Sequence, residues 1–382
     1  MSDISLLARN HVELLPAGGL EAKLKLGRPL RVKLGIDVTS PDIHVGRGIP
    51  LQRMRAFQDA GHIGVLIVGD YTTRIGDPSG RSAERPILSD AEIDASAKLY
   101  VDQAMQILDP ARTEIRFNGE WLSKLSFADV VRLTRTLTVA QLLERDDFSK
   151  RIAAGHPVSV SELLYPLMQA YDSVAIEADV ELGGTDQLYN LLAGRTVMEA
   201  YGLEPQVVLT TPLLVSFDGS KMSSSIGNNI PLAAAREEQF GRTMRIPDTM
   251  LEDWYRLVVE GPVPAGEAMD AKLALARFIV ARSHGAEAAV EAEAHFTRVV
   301  REGGAPEDVP QGVLPDGDPI HLPALLAAAF GLSTSDARRM IGQGGVKVDG
   351  TAVSSLDVPR AELDGALVQA GKRRFVQYPP SS

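Results

Sequence analysis

Short apolar segments alternate with helical ones along residues 31–117, and this alternation constrains the fold more than any other feature of the sequence. Strands are predicted at 31–37, 64–68 and 113–117. The helices between them start at Pro50, which a first helical turn tolerates, and at Ser89, which opens a Ser-x-x-Glu capping box. Alternation of this kind predicts a parallel, doubly wound α/β sheet.

The remainder of the chain divides by composition and by breaks in the helical pattern. A helix is predicted at 161–175, a turn at 180–187 that leads into another helix, and a buried strand at 207–215. The predicted division is a sheet domain at 1–220 with a helical insertion around 121–160, a helical domain at 221–305, a Gly/Pro-rich linker at 306–319 and a small α+β domain at 320–382.

Charge and cysteine content narrow the classes of protein that fit. The net charge of −11 argues against coating nucleic acid by bulk charge alone, although residues 320–382 carry seven Lys/Arg and five Asp/Glu. The absence of cysteine excludes disulfides, Cys-bound metals and thiol nucleophiles. No signal peptide is predicted, and no apolar run approaches the roughly 20 residues of a membrane helix. We expect a cytoplasmic protein without a membrane partner.

A lysine followed by three hydroxyls comes shortly after the strand predicted at 207–215. The segment reads Asp218-Gly-Ser-Lys-Met-Ser-Ser-Ser225. Open α/β sheets bind ligands beyond the carboxyl ends of their strands. An ammonium among small hydrogen-bond donors suits a polyphosphate, and a solvated Ser-rich loop is the alternative.

Two glycine-containing turns follow the first two predicted strands. His44 precedes a Gly-x-Gly turn at the start of a helix, whose free amides attract phosphate, so His44 could donate to phosphate oxygens. Asp77 lies in a Gly/Pro-rich loop, where its carboxylate could hold an ammonium. A loop-stabilising histidine and a turn aspartate are the structural alternatives.

Tyr165, Gln169 and Asp172 are spaced to lie on one face of a strongly apolar helix. Polar groups in such a helix need partners, so they form either an internal network or a pocket for a small polar ligand. In the pocket, Asp172 would accept a ligand hydroxyl and reject the analogue that lacks it. Asp186 and Gln187, after two glycines, could face a ribose or an α-amino or carboxylate group, or form a plain turn.

Five of these motifs, taken together, resemble those of one family. His44-Val-Gly-Arg47 and Lys221-Met-Ser-Ser-Ser225 resemble the two signature motifs of class I aminoacyl-tRNA synthetases. The Tyr165 helix, the Asp77 loop and the 182–187 segment resemble bacterial tyrosyl-tRNA synthetases. Residues 335–350 look like the S4-like RNA-binding domain that ends those enzymes. The resemblance implies a Rossmann-like catalytic domain, a helical anticodon-binding domain and an S4-like C-terminal domain.

The resemblance also implies a reaction in which L-tyrosine attacks the α-phosphate of ATP and is then transferred to tRNA(Tyr). Catalysis would be electrostatic, because the nucleophile is already a carboxylate. Magnesium would come with the phosphates of ATP, and no tightly bound cofactor or protein metal site is expected. A homodimer is implied, and DNA is not an expected partner.

Roles are carried over by position. Groups acting on the phosphates would be Thr39, His44, Lys221, Ser223, Ser224, Arg81 and Arg85. Tyrosine would be bound by Lys33, Asp77, Tyr165, Gln169, Asp172 and Gln187. ATP would also meet Asp37, Gly46, Arg47, Gly184, Asp186 and the backbone of Leu214 and Val215. RNA phosphates would meet Arg338, Arg339, Lys347, Lys372, Arg373 and Arg374, for which a solvated basic face is the alternative.

The sequence departs from the family pattern at several of these positions. Arg47 stands where the first signature usually has histidine, Val38 where proline is usual, and Ser224 where lysine is common. Lys33 stands where one branch of the family has a tyrosine that helps bind the substrate hydroxyl. Two other functions therefore fit the residues: an adenylating enzyme with a non-tRNA acceptor, and an RNA-binding protein on an inactive synthetase scaffold. The S4-like tail argues against the first of these functions, and the retained Asp77, Tyr165, Gln169, Asp172 and Lys221 argue against the second.

Overall fold

The computed structural model describes residues 4–38, 42–77, 89–224, 226–301, 309–371 and 374–380. The chain forms two compact units, Met1–Ala235 with Arg242–Leu275 and Arg236–Gly241 with Ala276–Ser382. These units are defined by packing, and the predicted division into functional domains remains a prediction. Within the described ranges, no helix has the length and apolar character needed to cross a membrane.

A six-stranded sheet forms the centre of the first unit. Its strands are β1 (Glu13–Leu15), β2 (Arg31–Ile36), β3 (Ile63–Val68), β4 (Thr113–Phe117), β5 (Val180–Gly184) and β6 (Val207–Thr211). Their order is β1-β6-β5-β2-β3-β4, with all neighbours parallel except β1, which runs antiparallel to β6. The predicted doubly wound parallel sheet is confirmed.

Two strands differ from the predictions. The segment predicted as a turn at 180–187 contains β5, which pairs with β2 on one side and β6 on the other. Its Gly-Gly ending looks like a turn in sequence, but the two neighbouring strands supply every backbone partner that a strand needs. The short β1 lies at the sheet edge and precedes the first strand predicted from the sequence.

The strand order reverses between β2 and β5. From β2 the chain adds β3 and β4 on one side, and it then returns to add β5 and β6 on the other side. In open α/β sheets such a switch point leaves a crevice beyond the carboxyl ends of the strands. The ends of β2, β3, β5 and β6 are therefore where a ligand site is expected.

Helices precede and separate the strands of this sheet along the chain. They are α1 (Ile4–Leu7), α2 (Gly19–Leu24), α3 (Val45–Asp59), α4 (Asp90–Ala104), α5 (Gly119–Leu122), α6 (Phe127–Thr134), α7 (Val139–Leu143), α8 (Asp146–Ala153), α9 (Val160–Ala175) and α10 (Leu188–Ala200). The irregular helices predicted at 121–160 correspond to α5–α8. Helix α3 begins five residues before Pro50 because His44 caps it: its ring nitrogen accepts a hydrogen bond from the Arg47 amide.

The core beside the site is built by α9 and α10. Leu167 and Ala170 of α9 belong to one buried cluster with Ala193 and Val197 of α10. Burying these faces fixes the rotation of α9, because turning the helix would expose apolar side chains. The polar residues of α9 are thereby directed toward the carboxyl edge of the sheet.

The later part of the chain is helical and then α+β. Helices are α11 (Arg236–Thr243), α12 (Leu251–Trp254), α13 (Ala268–His284), α14 (Ala286–Phe296), α15 (Leu322–Phe330), α16 (Thr334–Gly342) and α17 (Arg360–Leu363). Strands are β7 (Ile320–His321), β8 (Val346–Val348), β9 (Thr351–Ala352), β10 (Asp357–Val358), β11 (Leu367–Ala370) and β12 (Arg374–Gln377). Strands β12-β11-β8-β9 form one sheet and β10-β7 a second. The predicted helix-rich middle and small α+β end are confirmed.

Candidate active site

Asp37, directly after β2, is shared between two neighbouring elements. Its carboxylate accepts a hydrogen bond of 3.0 Å from the Tyr165 hydroxyl of α9 and one of 2.8 Å from the Thr72 hydroxyl in the loop after β3. A Cβ at Gly69 would lie 2.4 Å from both the Asp37 Oδ1 and Thr72 Oγ1 atoms, so this contact requires glycine. Burial, with the nearby charges of Asp37 and Asp77, raises the pKa of Tyr165, which stays a neutral donor.

Asp172 is the buried carboxylate of α9 that was predicted to recognise a ligand hydroxyl. It is 3% exposed. The indole nitrogen of Trp121 donates to its Oδ1 at 2.8 Å, and the Asn118 amide donates to its Oδ2 at 3.3 Å. Burial raises the pKa of Asp172 to about 7, against the opposing effects of Lys33 and these two donors.

Asn118 and Trp121 were not predicted as site residues. A usable signal existed for Asn118, which directly follows β4 and therefore lies at the carboxyl edge of the sheet. Trp121 offered no comparable signal, because a tryptophan in an amphipathic segment usually serves the core. Only the packing of α5 against α9 places its polar edge on Asp172.

Lys33 on β2 is fully buried. Its ammonium donates 2.8 Å to the Gln169 carbonyl and 2.7 Å to the Ser173 hydroxyl, and lies 2.9 Å from Oε1 of Glu181. All three ammonium hydrogens therefore have a protein acceptor, and Lys33 acts on Asp172 through its charge. Direct contact of Lys33 with tyrosine remains a prediction.

Asp77 and Gln187 connect the loop after β3 with the turn after β5. The Gln187 amide donates to Asp77 at 2.7 Å and accepts from the Asn190 amide at 2.9 Å. Asn190 in turn accepts from the buried Arg145 guanidinium at 2.8 Å. The two predicted tyrosine-binding residues are thus in contact, and Asn190 and Arg145, which were not predicted, orient Gln187.

His44 lies beside residues of both predicted signature motifs. Burial and the positive charges of Arg47 and Lys221 lower the pKa of His44 to about 3, so the ring is neutral. Its Nδ1 accepts from the Arg47 amide, which leaves the ring hydrogen on Nε2. Val45 donates to the Ile230 carbonyl at 3.0 Å, so the segment after the lysine loop runs beside the histidine motif. A neutral Nε2–H suits donation to an anionic oxygen.

Arg47 points back over the α4 helix. Its guanidinium carbon lies 6.0 Å from the Tyr100 ring centre. Its Nη1 is buried and has no hydrogen-bond partner. The Tyr100 side chain is hydrogen-bonded to the same guanidinium. The guanidinium therefore keeps positive charge beside His44 where the family signature usually has histidine.

The lysine loop is a tight hairpin at residues 214–222. The Met222 amide donates to the Leu214 carbonyl at 3.0 Å, and the Trp254 indole donates to the Val215 carbonyl at 3.0 Å. Lys221, which pairs with Val215 across the two arms of the hairpin, forms an ion pair with Asp186, which follows β5. The predicted contact of the 214–215 backbone with adenine remains a prediction.

Asn228 organises this hairpin and was not predicted. Its side-chain amide donates to the Asp218 carboxylate at 2.9 Å and to the Lys221 carbonyl at 3.2 Å. Its side-chain oxygen accepts from the Ser223 amide at 2.8 Å. The Ser224 hydroxyl accepts from Asn229 at 3.3 Å. One asparagine therefore fixes both sides of the backbone around Lys221.

The described residues that were predicted to bind RNA lie outside the candidate active site. Arg338, Arg339, Lys347 and Arg374 are exposed on the second unit, where Arg339 pairs with Asp336. Among the described residues, no group of three or more His, Asp or Glu side chains could hold a metal ion. The predicted residues outside the described ranges are Thr39, Arg81, Arg85, Lys372 and Arg373.

The candidate site lies at the switch point of a doubly wound sheet. It has a neutral histidine at a helix N-terminus and a lysine hairpin nearby. This combination defines a Rossmann-like protein of the class I synthetase type. A family model described as class I tRNA synthetases for tryptophan and tyrosine matches residues 25–301. The chain belongs to this family.

Curated relatives narrow the group within the family. A tyrosine–tRNA ligase of Moorella thermoacetica is 45% identical, covering 98% of this chain and 95% of the relative. One from Ralstonia nicotianae is 47% identical, covering 96% and 97%. The predicted membership in the tyrosine–tRNA ligase group of class I synthetases is confirmed.

Solved structures agree in fold. The tyrosyl-tRNA synthetase of Archaeoglobus fulgidus, crystallised with L-tyrosine, superposes with a TM-score of 0.62 at 21% identity, covering 76% of this chain and 98% of that one. A truncated mitochondrial tyrosyl-tRNA synthetase of Aspergillus nidulans gives 0.62 at 21% identity, covering 76% and 91%. At this identity the similarity shows the fold alone.

Proposed function

We propose that this protein is a tyrosine–tRNA ligase that forms tyrosyl-adenylate from L-tyrosine and ATP and transfers the tyrosyl group to tRNA(Tyr). In the first step a carboxylate oxygen of tyrosine bonds to the α-phosphorus, and the bond to pyrophosphate breaks. In the second step a terminal ribose hydroxyl of the tRNA bonds to the carbonyl carbon, and AMP leaves. The observation that carries the proposal is the buried Asp172 carboxylate, held by Trp121 and Asn118.

The tyrosine side of the site supplies one acceptor for the phenol and several groups for the ammonium. Asp172 accepts the phenolic hydroxyl, a contact that phenylalanine cannot make. Asp77, Tyr165 and Gln169 hold the amino group, and Gln187 orients Asp77 through the bond that already joins them. Positioning the carboxylate against the α-phosphate is the main contribution of these residues to the rate.

The ATP side supplies donors where negative charge develops. The neutral His44 donates from Nε2, and Arg47 and Lys221 add positive charge. Lys221 leaves its partner Asp186 to reach the phosphates, which frees Asp186 for the ribose of the adenylate. Asp37, Gly46, Gly184, Ser223 and Ser224 complete the ATP contacts, with Thr39, Arg81 and Arg85 as further phosphate ligands. Magnesium arrives with ATP and neutralises part of its charge.

We propose that the protein works as a homodimer. Large apolar side chains are exposed on the helical insertion and at the start of α9: Phe127 is 84%, Val160 74% and Val139 62% exposed. Large apolar side chains this exposed suggest an interface, and a two-fold dimer is the commonest assembly. Val160→Asp should give a monomer by light scattering, whereas Val313→Asp, at a residue 90% exposed on the second unit, should not.

The second unit is proposed to bind the tRNA. Arg338, Arg339, Lys347 and Arg374 are exposed there, and the sequence adds Lys372 and Arg373. Basic side chains of this kind contact phosphates, and the binding that they provide weakens as the salt concentration rises. We also propose a cytoplasmic location.

The test is tyrosine-dependent exchange of labelled pyrophosphate into ATP, with phenylalanine and tryptophan as controls, followed by charging of tRNA(Tyr). Exchange with tyrosine alone and subsequent charging would support the full proposal. Exchange without charging would support an adenylating enzyme with another acceptor. Folded protein that exchanges with none of the three amino acids would overturn the proposal.

A further inference from the structure

Glu181 forms a buried ion pair with Lys33 at the centre of the sheet. The two residues are direct neighbours in the parallel pairing of β2 with β5, at the switch point of the strand order. Both side chains are buried, with exposures of 0% for Lys33 and 1% for Glu181. A buried pair of charges is seldom a net gain in stability over apolar residues, so its retention calls for another explanation.

Both members of the ion pair form hydrogen bonds with the turn of α9 that carries Asp172. Lys33 donates to the Gln169 carbonyl and the Ser173 hydroxyl, which stand three residues before and one residue after Asp172. Glu181 accepts from the Ser173 hydroxyl at 3.2 Å and from the Gln169 amide at 3.3 Å. The same carboxylate therefore orients the ammonium and one of the proposed tyrosine ligands.

We propose that Glu181 is a positioning residue for tyrosine recognition, which balances the charge of the buried Lys33 ammonium near Asp172 and holds the Gln169 amide in its binding orientation. The proposal rests on the proposed function for the identity of the ligand. The part that concerns the charge of Asp172 is independent of the proposed function, because the protonation of Asp172 can be measured in the ligand-free protein.

The ion pair controls the form in which Asp172 meets the phenol. An ionised carboxylate only accepts hydrogen bonds and takes the phenolic hydrogen strongly, whereas a protonated one accepts more weakly. Lys33 lowers the pKa of Asp172 against the effect of burial, whereas Glu181 raises this pKa in the same direction as burial.

Charged and titratable groups on several neighbouring elements affect the pKa of Asp172. Those acting with Asp172 include Lys33 on β2, Glu181 on β5 and Tyr165 on α9, while Asp37 after β2 and Asp77 after β3 act on Tyr165. Only Lys33 is cationic in this set. Removing either member of the ion pair should therefore change the titration of Asp172, and the two changes should have opposite signs.

Trp121 provides a direct probe, because its indole donates to Asp172 and the chain has only one other tryptophan. We expect tryptophan fluorescence of the ligand-free protein to titrate near pH 7, and Asp172→Asn to abolish this transition. Glu181→Gln should move its midpoint down by about one pH unit and Lys33→Gln should move it up by about one unit.

Kinetics test whether the ion pair also serves binding. In pyrophosphate exchange, Glu181→Gln should raise the KM for tyrosine several-fold, because the Gln169 amide loses its charged acceptor, and should leave the KM for ATP unchanged. A merely structural role would lower the amount of active protein and the melting temperature without moving the fluorescence midpoint. Midpoints that move in the same direction in both variants, or not at all, would overturn the proposal.

A double variant covers the case in which an unpaired buried charge prevents folding. Lys33→Gln with Glu181→Gln leaves no unpaired charge and should move the midpoint up, because the effect of Lys33 on Asp172 is the larger. An unchanged midpoint and KM in this variant would also overturn the proposal. If the midpoints move as expected but the wild-type protein shows no exchange with tyrosine, the charge pairing stands and the proposed function fails.

Discussion

The indole nitrogen of Trp121 donates a hydrogen bond of 2.8 Å to the Oδ1 atom of Asp172. This contact joins the helical insertion, which contains Trp121, to the helix that carries the candidate specificity residue. The helices after β4 therefore contribute a side chain to the candidate site.

Trp121→Phe should weaken tyrosine binding while preserving the packing of the ring. A hydrogen bond to a charged group contributes about 1.5–3 kcal/mol, so we expect the KM for tyrosine to rise about 10- to 100-fold in pyrophosphate exchange. Trp254→Phe is the matched control, since its indole donates to the Val215 carbonyl and not to Asp172. An unchanged KM for tyrosine in Trp121→Phe would contradict the role of this contact.

Asp172→Asn should make the protein more stable at pH 8 and inactive toward tyrosine. The pKa of Asp172 is raised from 3.8 to about 7, so the folded state holds a proton that the unfolded state has lost. The contribution of Asp172 to the stability of the wild-type protein therefore falls as pH rises from about 4 to 7, and the loss is complete above 7. Three units correspond to at most about 4 kcal/mol.

Urea unfolding at pH 4 and pH 8 measures this effect. The stability advantage of Asp172→Asn should be larger at pH 8 than at pH 4. Equal advantages at the two pH values would mean that Asp172 does not titrate in this range in the folded protein.

His44→Ala should slow adenylate formation without changing tyrosine binding. Loss of a donor aimed at developing charge costs about 10²-fold in kcat. Because the pKa of His44 is about 3, the ring is neutral at pH 6 and at pH 8, and the loss should be the same at both. Single-turnover adenylate formation gives the rate, with His156→Ala, at an exposed position, as the control. A loss confined to pH 6 or to pH 8 would show that His44 titrates in this range.

Asn228→Ala should disorder the hairpin that presents Lys221. It removes the bonds to Asp218, to the Lys221 carbonyl and from the Ser223 amide. We expect kcat/KM for ATP to fall about tenfold or more, because misplaced catalytic groups lose their positioning advantage. Asn229→Ala, which loses a bond of 3.3 Å to Ser224, is the matched control. Equal effects of the two substitutions would argue against a special role for Asn228.

Gly69→Ala should disrupt the site by steric overlap alone. The new methyl would lie 2.4 Å from both the Asp37 and the Thr72 oxygen atoms and would separate them. Exchange activity should fall at least tenfold, since Asp37 also holds Tyr165. Gly35→Ala on β2, where nothing lies within 4 Å of the new methyl, should keep nearly full activity. A fully active Gly69→Ala would show that this contact is not needed.

Much of the architecture could be predicted because it depends on local pattern. Alternating apolar and helical segments identified β2, β3, β4 and β6, and the i, i+4, i+7 spacing placed Tyr165, Gln169 and Asp172 on one face. Helix boundaries were less accurate, as at α3, because a cap at His44 outweighs the presence of Pro50. Strand β5 was missed because its partners, not its composition, make it a strand.

The sequence by itself determined the sheet, the two signature motifs and the residue types at the site, since spacing and turn chemistry act over a few neighbouring residues. Only the tertiary structure decided which polar groups meet. Register placed Glu181 beside Lys33, helix packing brought Trp121 to Asp172, and Asn228 closed the hairpin around Lys221. These contacts join residues that are neighbours only in the fold, and burial there, which no local pattern encodes, sets the charge state of Asp172 and His44.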